Sequence, residues 1–147
     1  MKLTGLTPIL NVSDIAASLA WFEKLGWRRC WTYNDGGPID AAADANAAGP
    51  ANFASVGNGD CEVFLCRDGQ GSRGGPLPKH AGDDDTGGVR MTWWLATPSE
   101  VDAVHRLAVS CGATVTQPPI DFPWNCRECH IRHPDGHTFR VSAPTVG

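Results

Sequence analysis

The densest group of reactive side chains sits near the end of the 147-residue chain: Cys126, Cys129, His130, His133 and His137. Cys126-Arg127-Glu128-Cys129-His130 has the form of a c-type haem attachment motif. That chemistry needs export, and the opening MKLTGLTPILNVSD has neither a signal-peptide core nor a small-residue cleavage site. The surrounding residues are β-prone, and on a strand two side chains three apart project to opposite faces. Cys126 and Cys129 therefore diverge, and unless the hairpin brings a subset of the cluster together it does not supply the four convergent ligands of a structural zinc. Thiols in core or surface positions, with imidazoles at a turn, are the expectation. Nothing in the sequence orients a Cys–His pair as nucleophile and base. Asp83-Asp84-Asp85 is expected to be a solvated loop, not a cation site. No glycine-rich phosphate loop joins a strand to a helix.

The net charge of -4 argues against nucleic acid or an anionic membrane as the main partner, since both need a basic face. No apolar run approaches the roughly 20 residues of a membrane span. A cytoplasmic protein with six reduced cysteines is expected. At this length one domain can bury about two thirds of its unfolded surface and needs no staple to fold.

The elements that must position these groups are legible in the chain. Residues 7–12 (TPILNV) predict a strand, and Ser13 or Asp14 can cap a helix carrying Ile15, Leu19, Phe22 and Leu25 on one stripe until Gly26. Residues 27–33 are β-prone, and 34–50 are loop-like with room for a short Ala-rich helical turn. Residues 53–56 and 61–66 flank Gly57-Asn58-Gly59-Asp60, a hairpin signal. Residues 68–88 hold seven glycines and suggest a long loop.

The second half repeats the plan. Residues 89–96 predict a strand with Trp93-Trp94. Thr97-Pro98-Ser99-Glu100 opens a helix with a capping Thr, an early Pro and a Glu three residues after the cap. Val101, Val104, Ala108 and Cys111 form its stripe, and Gly112 ends it. A short strand at 113–116 is followed by a break at Pro118-Pro119, then strands at 126–133 and 137–142 about Pro134-Asp135-Gly136. Each half is thus strand, helix, three strands, an internal repeat of supersecondary structure.

Two motifs give this order a family likeness. Pro8-Ile9-Leu10-Asn11-Val12-Ser13-Asp14, followed by Ser18, Trp21-Phe22 and Leu25-Gly26-Trp27, resembles the opening of the vicinal-oxygen-chelate superfamily of glyoxalases, bleomycin-resistance proteins and extradiol dioxygenases. Pro123-Trp124-Asn125-Cys126-Arg127 with His133-Pro134-Asp135-Gly136-His137 resembles the closing hairpin of bleomycin-resistance proteins. The resemblance implies an α+β fold in which two βαβββ modules form a curved mixed sheet, a cup, with the helices outside. Module one is expected at about 5–67, a variable loop at 68–88, and module two at about 89–143.

Metal-dependent members of that superfamily place His, Gln or Glu on four strands inside the cup. The matching positions here fall on Thr7, near Phe64, near Arg90 and on Arg140. None is a usual ligand, and an arginine stays protonated and repels a divalent ion. No metal and no cofactor are expected. If those positions point inward, strand alternation carries Thr138, Ser142, Glu128, His130 and Arg132 with Arg140, and Glu62, Phe53 and Ser55 with Phe64. Trp94 is preferred to Trp93 as inward-facing, and Trp124 belongs to the rim. The expected ligand-binding residues are Phe53, Phe64, Arg90, Trp94, Trp124, Glu128, His130 and Arg140; no catalytic residue is assigned.

Such an aromatic slot with a few charges suits a flat organic ligand. The first reading is a homodimer that sequesters a small aromatic or antibiotic-like molecule, as bleomycin-resistance proteins do in grooves between subunits. The second is an enzyme of the superfamily, a glyoxalase-like isomerase or lyase or a ring-cleaving dioxygenase. A metal-free version has Glu128 or His130 as base and Arg90 or Arg140 steadying an enolate. The third is an assembly domain whose cup is filled by side chains. A scaffold alone does not decide among them.

Overall fold

The computed structural model describes residues 1–39, 49–75 and 87–147. The expected Ala-rich turn and the triple aspartate fall largely or wholly outside them. The chain divides into two compact units, Met1–Arg73 and Gly74–Gly147, each a mixed sheet with one helix on one face.

In the first unit β1 (Ile9–Val12) leads into α1 (Ile15–Lys24). Asp14 caps the helix, its Oδ1 accepting from the Ala17 amide at 2.9 Å. Four strands follow: β2 (Arg28–Asn34), β3 (Gly37–Ile39), β4 (Phe53–Asn58) and β5 (Cys61–Arg67). They lie in the order β1-β5-β4-β2-β3, with β1 parallel to β5 and the other pairs antiparallel. The β4–β5 register pairs Asn58 with Cys61, so Gly59-Asp60 forms the two-residue turn and Gly59 takes φ +55°. Leu10, Val12, Ala54, Val56, Val63 and Leu65 bury one face of this sheet, and Ile15, Leu19 and Phe22 of α1 are buried with them. β3 corrects the expectation of continuous loop after residue 33. Three residues fold back antiparallel onto β2, and a strand so short has too little pattern to announce itself.

The second unit runs β6 (Arg90–Trp94), α2 (Pro98–Ser110), β7 (Thr114–Phe122), β8 (Cys126–Arg132) and β9 (Thr138–Pro144). The sheet order is β6-β9-β8-β7, with only the β6–β9 pair parallel. Glu100 Oε2 accepts from both the amide and the hydroxyl of Thr97, fixing the start of α2. Val101 and Ala108 of α2 are buried, as are Cys129, Ile131, Phe139 and Val141 on the sheet face beneath. Arg127 bonds Asp102 of α2 at 2.8 Å and Asp121 of β7 at 2.9 Å, tying helix to sheet.

The break expected at Pro118-Pro119 is not a break: β7 continues through both prolines to Phe122. β7 is the outermost strand of its sheet, and its pairing with β8 shifts register between Val115 and Gln117 and again between Gln117 and Ile120. An edge strand with bulges can lack two donors without orphaning a neighbour's carbonyl.

Candidate functional site

The registers decide which side chains share a face. In the second unit Thr92 lies beside Arg140 and Trp94 beside Ser142, while Glu128 pairs with Ser142 and His130 with Arg140. Arg90, Thr92, Trp94, Glu128, His130, Arg140 and Ser142 therefore occupy the face opposite α2. Trp93 goes to the helix side, stacked on Phe139 with centroids 4.7 Å apart. Cys126 and Cys129 are on opposite faces, and burial pushes the Cys129 thiol up to about 12. Such a thiol is not a nucleophile near neutrality.

Glu128 is the hub of that face. It is 1% exposed, and each carboxylate oxygen accepts two bonds. Oε1 takes the Trp124 indole N–H at 2.7 Å and Arg140 Nη2 at 2.7 Å; Oε2 takes Arg140 Nε at 3.0 Å and the Ser142 hydroxyl at 2.5 Å. Burial opposes its charge, but the bonds from Arg140, Ser142 and Trp124 outweigh it and hold the carboxyl below its ordinary value. The ion pair binds in the fork geometry that makes Arg–carboxylate contacts strong.

Trp124 is reached through a turn in which Asn125 takes φ +61°. Its ring stacks on Phe122, 4.4 Å between centroids and 15° between planes, and stays half exposed. Arg90, Met91, Thr92, Phe122, Trp124, His130 and Arg140 line a concavity of about 450 Å³. Of the expected residues, Arg90, Trp124, His130 and Arg140 meet here. Glu128 stands behind the wall. Trp94, 66% exposed, shares the face but does not line this space. Phe122, Met91 and Thr92 were not anticipated. Phe122 sits at the end of the strand hidden by the two prolines, while Met91 and Thr92 fall between expected residues.

The first unit carries its own aromatic face. Trp31 stacks with Phe53 at 5.5 Å and meets Phe64 edge-on at 5.0 Å, and Tyr33 closes on Trp31 at 5.4 Å. Trp31, Tyr33, Asn34, Asn52 and Phe53 line a shallow space of about 510 Å³. Phe53 thus faces an opening, whereas Phe64 is the ring packed against both Trp31 and Phe53. Trp31 and Tyr33 were missed as site residues. Their pairing with Ser55 and Phe53 follows a register shift between Arg29 and Trp31, which alternation counted from the start of the strand cannot anticipate.

The first unit thus carries a cluster of aromatic rings on one sheet face, and the second an arginine-lined aromatic concavity. The chain belongs to the glyoxalase/bleomycin resistance protein/dioxygenase superfamily, whose family profile matches residues 5–141. Among solved structures, TioX from Micromonospora sp. ML1 is similar over 97% of this chain and 99% of its own, at 20% identity and a TM-score of 0.69. The bleomycin-binding protein of Streptomyces verticillus, solved with copper(II)-bleomycin, is 22% identical over 97% of this chain and 98% of its own, with a TM-score of 0.57. A bleomycin resistance determinant encoded on the transposon TN5 is 16% identical over 98% and 100%, with a TM-score of 0.61. At these identities the likeness is one of fold. No curated protein matches the chain.

The metal of the superfamily's metal-dependent members finds no fitting donor set at the matching positions. Phe64 is committed to ring contacts and Arg140 to Glu128. Arg90 is a second fixed cation, and Thr7 offers only a neutral hydroxyl. Among the described residues no group of three His, Cys, Asp or Glu is placed to hold a metal ion. No described helix is long and apolar enough to cross a membrane.

Proposed function

We propose that this protein binds and sequesters a small aromatic or antibiotic-like molecule without a metal, as a homodimer. The observation that carries this reading is the stacked Trp124–Phe122 pair beside Arg140 in a space of about 450 Å³, a volume within the range of small-molecule sites. Arg90, His130 and Arg140 supply the polar contacts, with Glu128 holding Arg140 and Trp124 in place. Phe53 offers a second stacking surface on the first unit, over Phe64, and Trp94 a third. Neighbours of like fold include proteins described as binding or resisting bleomycin, which favours this class of ligand. An enzymatic reading that uses Glu128 as base has weaker support: both oxygens are filled, and the carboxyl is held below its usual range.

Titration with a panel of planar aromatic antibiotics, followed by tryptophan fluorescence, tests the proposal. Saturable quenching is expected, and Trp124→Ala should weaken it about tenfold, since stacking adds about 1 kcal/mol beyond the area it buries. A flat response across the panel refutes binding.

A further inference from the structure

We infer that Arg140 sets the specificity of the second unit's concavity, selecting a planar aromatic molecule that bears a neutral carbonyl-type oxygen as hydrogen-bond acceptor. This rests on the binding role proposed above and names the chemistry of its ligand.

The bonding around Glu128 decides what Arg140 and Trp124 have left for a ligand. An arginine side chain carries N–H donors and no acceptor. Arg140 gives Nε and Nη2 to Glu128 at 3.0 and 2.7 Å, which uses the side edge of the guanidinium. Glu128 draws nothing from Nη1, so the end edge keeps its hydrogens. The side chain is 39% exposed where it lines the concavity. Trp124 is engaged in the reverse sense. Its one polar hydrogen goes to Glu128 at 2.7 Å, so the indole meets a ligand with its ring alone. Phe122, stacked on that ring, has no polar side-chain atom to add. These three residues thus offer a ligand an apolar surface and a donor edge. A group that can only donate gains nothing at that edge, because a guanidinium accepts no hydrogen bond.

What Arg140 asks of a ligand is an acceptor and not a charge. Its cation is already matched by the Glu128 carboxylate at 2.7 Å, and that carboxylate is buried and held by two further donors, Trp124 and Ser142. The pair is charge-balanced, yet Nη1 remains a donor on an ionised group, and such donors make the stronger bonds. The carboxylate also orients the guanidinium, so a bond to the ligand costs little further ordering. Thr92 pairs with Arg140 across β6 and β9 and adds a hydroxyl to the same lining.

Equilibrium dialysis of the full chain with two uncharged probes of one shape tests the inference: 2-acetylnaphthalene, and 2-isopropenylnaphthalene, in which a methylene replaces the carbonyl oxygen. The ketone is expected to bind about tenfold more tightly than the alkene, the return on one hydrogen bond to a charged donor. Arg140→Lys, which keeps a cation beside Glu128 but removes Nη1, should bring that ratio toward one. The wild-type chain gives a second reading that needs no variant. The stretch of a 13C-labelled ketone carbonyl, taken by infrared difference in the complex, should lie below its position in hexane. Equal affinity for ketone and alkene would overturn the acceptor selectivity and leave small-molecule binding intact. A ratio unmoved in Arg140→Lys, or a bound carbonyl stretch at the hexane position, would likewise overturn it. No binding of either probe would count against the selectivity and the binding role together.

Discussion

Glu128 shows how one buried residue can fix the side chains around a concavity from behind its wall. Its four donors come from Trp124, Arg140 and Ser142, so removing one partner strands a buried charge. Arg140→Met should destabilise the protein by about 3 kcal/mol in urea unfolding. Adding Glu128→Gln should recover most of that loss, because a neutral amide tolerates the missing cation; equal destabilisation in single and double variants would show the ion pair to be incidental. His133 makes a different point. It is 1% exposed, and burial with the neighbouring His137 pushes it down to about 4, against a small opposing pull from Asp135. The folded protein keeps this imidazole neutral where the unfolded chain protonates it near pH 6.5. The stability it represents is therefore present above pH 6.5 and lost as pH falls toward 4, with a slope approaching 1.4 kcal/mol per pH unit. Its Nδ1 accepts the Asp135 amide at 3.0 Å, a bond that His133→Asn can keep. That variant should flatten the dependence of urea midpoint on pH between 6.5 and 4.5, and an unchanged slope would assign the effect elsewhere.

At the scale of elements, the sequence made the helices plain and the strands only partly so. Asp14 and Thr97 announce the two helix starts because capping is a local transaction, settled within three or four residues. The extent of β7 was hidden because proline's effect depends on whether the strand is central or at an edge, and sequence order does not say which. The same limit concealed Phe122, and a bulge in β2 concealed Trp31 and Tyr33. Parity on β8 and β9 survived because their register runs unbroken from Cys126–Pro144 to Arg132–Thr138, so Glu128, His130 and Arg140 were placed on one face from alternation. The turn joining those strands depends on Gly136, which takes φ +87° and lies against Gly74, whose Cα is 2.5 Å from where a Cβ would stand. Gly74 also donates its amide to Asp135 at 2.9 Å. Gly136→Ala must strain the backbone and displace Gly74 together, and is expected to lower stability by about 2 kcal/mol in urea unfolding. A loss near zero would mean the turn relaxes freely.

Apart from the added β3 of the first unit, the two units follow one plan, and at this scale the repeat of strand, helix and three strands was legible because it needs only pattern and order. The ligand was not legible, since lining residues come from strands far apart in sequence and from exposed rings whose partners the sequence does not name. Homodimer formation is the remaining part of the proposed function, and it belongs to the whole molecule. Large apolar side chains stand exposed on the second unit: Trp94 at 66% and Trp124 at 55%. Single exposed apolar residues are ordinary on monomers, so exposure alone does not decide the matter and a mass measurement must. Light scattering of the eluting protein should give twice the 15.7 kDa of one chain at micromolar concentration. If copies cover Trp94, Trp94→Lys should move the mass toward one chain, while the circular dichroism of the fold stays unchanged. A wild-type mass of 15.7 kDa across that range rejects the dimer, yet leaves the concavity intact, because the described residues that line it all lie in the second unit.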